Sequence, residues 1–388
     1  MFSASEGYHW AVIVNLHVTG DCNLRCDYCY ASPKTRARMD RATARQAVSL
    51  AASQATDVHV MFFGGEPLLE RSLIEQVVQD CELGLCGQAR FYFQVVTNGT
   101  LVDDDVVAWA AQHQVSISVS LDGCREAHDR HRTLSGGEGS FAQTVRSIPL
   151  LLANNPYLHV QMVISPDTAS LLPQSLEFVF GLGVRHVSTS INYQGPWDRS
   201  SLERLGHAYE KAARLYEKKT LRGDRFFLSC FDARIRTRVR GPCTEEERCT
   251  AGMHQFSVSP SGRIYPCVQF VGDDQGGGHV LGHVSTGFEP LARERFHEAS
   301  EAAKPQCQGC ALLGRCSCWC ACVNWATTGN LAQVSPVLCE HERMLMPMAD
   351  VLASRLFSRR NTMFIHKHYN AAFPILSVAE DILEAAER

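Results

Sequence analysis

GDCNLRCDYCY, residues 20–30, follows directly on the apolar, β-branched run AVIVNLHV (residues 11–18). The run reads as a strand and the stretch after it as a loop. Cys22, Cys26 and Cys29 stand in that loop at CxxxCxxC spacing. Three thiolates are one short of the four that a structural zinc ion takes. A [4Fe–4S] cluster also has four irons to ligate, so three thiolates leave one iron open to a small molecule. Tyr28, immediately before Cys29, is placed to shield such a cluster.

The rest of the chain sets the context. It has 388 residues, enough for a large α/β domain with an appendage. A net charge of −4 leaves no general basic surface for nucleic acid or anionic membrane. The basic stretch RIRTRVR (234–240) reads as a solvated helix face or linker. No apolar run approaches the ~20 residues needed to span a bilayer, and the first ten residues lack a charged-then-apolar signal pattern. A cytoplasmic protein is expected. The 17 cysteines are an odd number, and in a reducing compartment clustered cysteines bind metal more often than they pair.

Strand-like and helix-like segments alternate through the first half. Strands are expected at 11–18, 57–63, 91–97, 115–121, 159–165 and 184–192, and helices at 39–54, 68–81, 102–113, 141–153 and 168–181, with Asp40 as an N-cap. This alternation implies parallel strands and places functional groups at their C-terminal ends. Beyond residue 225 cysteine and glycine rise, and FSVSPSGRIYPC (256–267) reads as a β-hairpin. From residue 340 a helical pattern returns, interrupted by Pro347.

Further motifs stand at successive strand ends. FFGGEP (62–67) follows the second strand, TNG (97–99) the third and SLDG (120–123) the fourth, with HDRHR (128–132) soon after. Together with CxxxCxxC they resemble the radical S-adenosylmethionine (radical SAM) family over residues 11 to 195. The resemblance implies reductive cleavage of SAM to methionine and a 5′-deoxyadenosyl radical, which abstracts a hydrogen from substrate. It also implies a [4Fe–4S] cluster on Cys22, Cys26 and Cys29, and SAM contacts from Tyr28, Gly64, Gly65, Glu66, Pro67, Asn98, Ser120 and Arg132. Glu66 is expected to face the SAM ammonium and Arg132 its carboxylate.

A second set of cysteines has its own pattern. Cys249-x12-Gly262-x4-Cys267 is followed by Cys307-x2-Cys310-x5-Cys316-x3-Cys320 and then by Cys339, with Cys243 six residues before Cys249. This resembles the SPASM extension of radical SAM peptide-modifying enzymes. By that family's interleaved pairing, Cys243, Cys249, Cys267 and Cys320 hold one auxiliary [4Fe–4S] cluster and Cys307, Cys310, Cys316 and Cys339 a second. That makes three clusters in all. CSCWCACV (316–323) offers a rival register, Cys310-x7-Cys318-x3-Cys322. Were the stretch extended, all four of its thiols would share one face. Spacing selects Cys316 and Cys320, leaving Cys318 and Cys322 as small buried hydrophobes. Cys81, Cys86, Cys124 and Cys230 have no ligand-like neighbours and read as core or surface thiols.

The expected fold is α/β, a partial (β/α)6 radical SAM barrel with a cysteine-rich SPASM domain and a C-terminal helical extension. The expected boundaries are 1–225 for the barrel, 226–242 for a bridging segment, 243–345 for the SPASM domain and 346–388 for the extension. The implied function is a maturase that installs a crosslink, carbon–carbon before thioether, in a ribosomally made precursor peptide. Flavodoxin or ferredoxin is the implied low-potential electron donor. With the first strand beginning about ten residues in, a leader peptide is expected to need a separate binding protein, the C-terminal extension or no dedicated module. Sulfatase maturases share the cysteine layout, but carry an aspartate just after the cysteine matching Cys267, where this chain has Val268 and Gln269. A non-catalytic iron–sulfur or zinc protein is the third reading. Asp273, Asp274 and Glu340 are acid–base candidates by position alone, and HKHY (366–369) reads as helix surface.

Overall fold

A computed structural model describes residues 11–31, 33–244 and 248–386. The chain runs through β1 (Ala11–Thr19), α1 (Arg41–Ala52), β2 (Asp57–Gly64), α2 (Arg71–Glu82), β3 (Arg90–Thr97), α3 (Asp104–Gln112) and β4 (Val115–Ser120). Two helices follow, α4 (Arg125–His131) and α5 (Phe141–Asn154), then β5 (His159–Ile164), α6 (Leu172–Gly181) and β6 (His186–Ile191). The long α7 (Arg199–Leu221) leads to a short β7 (Phe227–Leu228) and α8 (Ser229–Arg240). Strands β1 to β7 pair in sequence order, all parallel. Asp40 caps α1 as expected, its carboxylate accepting from Thr43 N–H at 2.7 Å.

The two faces of this sheet differ in chemistry, as period-2 alternation requires. Val12, Val14 and Leu16, Val58 and Val60, Val95, Val119 and Val160 are fully or almost fully buried in the hydrophobic core. Residues of the opposite parity form a polar ladder across neighbouring strands. Gln94 Nε2 donates to Ser118 Oγ at 2.6 Å, and His159 joins Ser118 at 3.4 Å and Ser188 at 2.8 Å. The parallel sheet therefore has a greasy outside under its helices and a polar inside.

The cysteine-rich part is built onto the same sheet. The expected hairpin is β8 (Gln255–Val258) and β9 (Arg263–Tyr265), and β8 lies parallel against the free edge of β1. With β10 (Gly282–His283) and β11 (Gly287–Phe288) it completes an eleven-stranded sheet in the order β11-β10-β9-β8-β1-β2-β3-β4-β5-β6-β7. Then come α9 (Pro290–Glu301), α10 (Ala321–Thr328), α11 (Pro336–Ser358), α12 (Thr362–Tyr369) and α13 (Phe373–Ala386). No helix among the described residues is long and apolar enough to cross a membrane.

Three expectations are corrected. The helix of the C-terminal segment is not interrupted at Pro347: α11 runs unbroken through it. A mid-helix proline costs a backbone hydrogen bond. The cost is offset by the burial of Leu338, Leu345, Met346, Ala349, Leu352 and Leu356 on a helix that packs on α7 and α8. RIRTRVR is not simply a solvated face, because Arg234 is an internal clamp. Its guanidinium meets the buried Glu342 carboxylate of α11 at 2.6 and 3.1 Å. HKHY is not helix surface either: Lys367 reaches Asp232 at 2.7 Å, and His368 is buried beside the same carboxylate.

The Arg234–Glu342 pair gives a stability prediction. Its side chains are only 13% and 2% exposed, so removing one partner strands a buried charge. Arg234→Ala should lower unfolding free energy by about 3–5 kcal/mol, whereas Arg234→Met with Glu342→Leu should recover most of it. Urea unfolding of the two variants checks this.

Candidate active site

The cysteine loop leaves the C-terminal end of β1 and is held from two sides. On one side is the turn after β2. Gly65 N–H donates to Thr19 O and Glu66 N–H to Asp21 O, both at 2.8 Å. A Cβ on Gly64, whose φ is +129°, would sit 2.2 Å from Thr19 O, and one on Gly65 1.9 Å from Asp21 O. These glycines are needed for the approach of the turn to the cysteine loop itself. On the other side is the TNG segment after β3: Asn98 Nδ2 donates to Asn23 Oδ1 at 2.8 Å, and Asn23 Nδ2 to Thr100 Oγ1 at 2.7 Å.

A cavity of about 380 Å³ opens over this loop. That is within the range of small-molecule and cofactor sites. Of the residues expected here it gathers Cys22, Cys26, Tyr28, Cys29, Gly64, Gly65, Asn98, Ser120 and Arg132. Glu66 and Pro67 are not in its wall. Glu66 is fully buried, and its carboxylate accepts from Thr97 Oγ1 at 2.7 Å, Asn98 N at 2.8 Å and Leu68 N at 3.0 Å. It joins the ends of β2 and β3, and both of its oxygens accept from donors behind the cavity wall. Burial pushes its pKa up, with those donors opposing the rise.

Arg132 is buried and does not reach the cavity unpartnered. Its Nε donates to Asp122 Oδ2 at 3.0 Å, Tyr28 Oη donates to the same oxygen, and the guanidinium lies 5.4 Å from the centre of the Tyr28 ring. Asp122 Oδ1 also accepts Val163 N–H at 2.9 Å. Asp122, the acid of SLDG, thus ties the cysteine loop, α4 and β5 together. The sequence displayed it inside a quoted motif, but its role depends on contacts far along the chain. His128 of the HDRHR motif accepts Asp122 N–H at Nδ1 (3.3 Å) and meets Ser140 Oγ at Nε2 (3.0 Å).

Of the remaining wall, the sequence singles out individually only Val268 and Gln269. Gln161, Ser190, Asn192, Tyr193 and Gln194 come from the ends of β5 and β6, and Val268 and Gln269 follow Cys267. Lys34 is also present, its Nζ 2.9 Å from Cys29 Sγ. No Asp or Glu lines the cavity among the described residues. The positional candidates lie elsewhere: Asp274 is engaged by Ser261 and Arg263, and Glu340 is a half-exposed partner of Arg343 on α11.

Burial pushes the Cys22 thiol up to about 11 and raises Cys26 as well. A metal that takes these sulfurs as thiolates must release their protons. Among the described residues no three His, Cys, Asp or Glu side chains converge on a position for one metal ion. The later cysteines form two looser groups instead. Cys249, Cys267, Cys320 and Cys322 are neighbours, and Cys307, Cys310, Cys316, Cys318 and Cys339 border a second small cavity. Thiols bordering a cavity one by one would each take one iron of a cluster. Cys81, Cys86, Cys124 and Cys230 are buried in the core, as expected.

His128 supplies a pH prediction. Burial holds its imidazole down to about 4, against 6.5 in an unfolded chain. Its neutral form belongs to the fold, so stability is complete above pH 6.5 and falls as pH drops toward 4. The expected loss is roughly 3 kcal/mol. His128→Asn, which keeps an acceptor for Asp122 N–H but does not titrate, should shrink the acid-side loss by that amount in denaturant midpoints measured from pH 7 to pH 4.

Comparison with known proteins agrees with this geometry. Residues 16–192 match the Radical SAM superfamily. An uncharacterized protein of Methanocaldococcus jannaschii is 28% identical over 173 residues, 45% of this chain and 60% of that protein, so the match spans less than two thirds of that relative. The radical SAM cyclopropyl synthase TigE of Paramaledivibacter caminithermalis is 21% identical over 375 residues, 90% of this chain and 75% of that one. The cysteine-type anaerobic sulfatase-maturating enzyme of Clostridium perfringens is 23% identical over 323 residues, 77% and 85% of the two chains. The structure of anSMEcpe with bound AdoMet superposes with a TM-score of 0.76 at 20% identity, over 91% of this chain and 100% of that chain. Streptococcus suis SuiB bound to precursor peptide SuiA gives 0.61 at 14%, over 85% and 76%. Residues 16–192 are a radical SAM domain, and the chain has the α/β fold of the SPASM-type radical SAM maturases.

Proposed function

We propose that this protein is a radical SAM maturase that crosslinks side chains of a ribosomally made precursor peptide, with a carbon–carbon bond as the product. In this reading Cys22, Cys26 and Cys29 hold the SAM-binding [4Fe–4S] cluster, and Gly64, Gly65, Asn98, Ser120 and Arg132 seat SAM. Tyr28 covers the cluster. Bound there, cluster and SAM supply a 5′-deoxyadenosyl radical. Arg132 gives one N–H to Asp122 and keeps four more for a carboxylate. The division into barrel, bridging segment, SPASM domain and helical extension belongs to the same proposal, as do two auxiliary clusters, a flavodoxin or ferredoxin donor and a separate leader-binding protein.

The observation that carries the choice of reaction is the cavity wall after Cys267. Val268 and Gln269 stand there, and among the described residues no carboxylate lies in the wall. The sulfatase-maturase resemblance calls for an acid at that place. Crosslinking removes two hydrogens from the peptide and joins their carbons. One would leave as a hydrogen atom and the other as a proton with its electron; an auxiliary cluster held by the later cysteines would supply the acceptor for that electron. The name of the TigE relative, a cyclopropyl synthase, also denotes carbon–carbon bond formation. SuiB, of similar fold, was solved with a precursor peptide.

One observation favours a sulfatase maturase instead. The likeness to anSMEcpe covers all of that chain, and that enzyme was also solved with a bound peptide. Mass spectrometry separates the two readings. Enzyme, SAM and reductant should form 5′-deoxyadenosine and lighten a short co-encoded peptide by two hydrogens per crosslink, and Cys22→Ala should abolish both. Conversion of a sulfatase-derived Cys or Ser peptide, with the co-encoded peptide unchanged, would establish the alternative. Absence of 5′-deoxyadenosine would leave only a non-catalytic role.

A further inference from the structure

Two cations stand in the cavity wall, and they are held differently. Arg132 shares its charge with the buried Asp122 carboxylate at 3.0 Å. Lys34 turns its ammonium to a sulfur: Nζ donates to Cys29 Sγ at 2.9 Å.

Lysine carries its charge on a flexible four-carbon stem, so nearness in sequence does not aim it. Here the backbone fixes where the stem starts. After the cysteine loop the chain turns back and runs antiparallel along the end of β1. Thr35 N–H donates to Gly20 O at 3.1 Å, Gly20 N–H to Ala37 O at 2.9 Å and Met39 N–H to Val18 O at 2.9 Å. Thr19 Oγ1 adds a bond to Ala37 O at 3.1 Å, and Thr19 bridges Arg38. Lys34 immediately precedes this strap, and the strap is pinned to the same strand end from which the cysteine loop departs. The half-buried side chain then runs along the loop to Cys29.

The ammonium acts beyond its hydrogen-bond partner. Its charge opposes the rise that burial imposes on the Cys22 and Cys26 thiols. All of CxxxCxxC therefore lies within its electrostatic range, in a partly desolvated site where a charge is felt more strongly than in water.

A cluster held by these thiolates gains one negative charge when a low-potential donor gives it one electron. A neighbouring cation favours the more negative state, and hydrogen bonds to the sulfurs are among the factors that set the potential. A bond from an ammonium is stronger than one from a neutral donor.

We propose that Lys34, through its hydrogen bond to Cys29 Sγ, raises the reduction potential of the cluster on Cys22, Cys26 and Cys29. The proposal rests on the reading that these three cysteines hold the SAM-binding [4Fe–4S] cluster. Lys34 acts through the sulfur and does not touch the reacting atoms.

The test is a redox titration of the full chain after anaerobic reconstitution, followed by electron paramagnetic resonance. The cluster with the open iron is the one whose signal changes when SAM is added. At the wild-type midpoint, Lys34→Met should lower its ratio of reduced to oxidised form roughly tenfold, about 59 mV for one electron. Lys34→Gln, which keeps a neutral N–H donor, should fall between, and Lys34→Arg should stay near wild type. Iron content and SAM affinity by equilibrium dialysis should match wild type in all three. An unchanged midpoint in Lys34→Met overturns the proposal, and weaker SAM binding at that unchanged midpoint assigns the ammonium to SAM instead. Loss of about four irons from Lys34→Met and Lys34→Gln alike makes the contact structural and also overturns it. If no signal of the wild type responds to SAM, the cluster reading falls and the proposal falls with it.

Discussion

Strand β1 is hydrogen-bonded along both edges, to β2 over its whole length and to β8 over Ile13–Leu16. Both pairings are parallel, so neither neighbour could have been joined to it by a tight turn. One comes from the next βα unit and the other from more than two hundred residues away. The cysteine loop leaves the end of this strand. Its position is therefore set by the barrel on one side and the cysteine-rich segment on the other. The cavity can take Cys22 from one and Gln269 from the other because a single strand carries the register for both.

The second constraint is electrostatic and lies at the opposite wall. Asp122 holds Arg132, Tyr28 and the backbone of β5 at once. A buried arginine needs a carboxylate nearby, and a single one here positions both the cation and the aromatic ring over the loop. The cavity wall itself is left with Lys34 and Arg132 as its only non-cysteine charges among the described residues. Such a wall suits an anionic group on a cofactor and neutral, amide-rich contacts with a substrate.

Much of this was legible in the residues. The strands and helices of the first half announce themselves by apolar runs and helical spacing, and α1 even by its Asp40 cap. The cysteine loop, the glycine turn, TNG and SLDG point to the right strand ends because each is a short-range signal. What the sequence concealed is long-range. Glu66 looks like a ligand-facing acid until the donors of Thr97 and Asn98 surround it. Tyr193 and Gln161 carry no local signature, since their importance comes from standing at neighbouring strand ends. Arg234 and Lys367 read as surface because composition cannot reveal a buried carboxylate partner more than a hundred residues away. Pro347 reads as a helix break because the strength of tertiary packing on α11 is not written in the helix itself.

The clasp between Arg234 and Glu342 has a consequence for assembly. Arg234 lies just before the cysteine-rich segment and Glu342 just after its last cysteine, 108 residues apart. Closing a loop of that length costs about 4 kcal/mol of chain entropy. With α8 and α11 docked and the ion pair formed, that cost is met by ordinary packing. The ten thiols between the two residues are thereby confined to a closed ring of chain. Polypeptide contacts alone shut that ring.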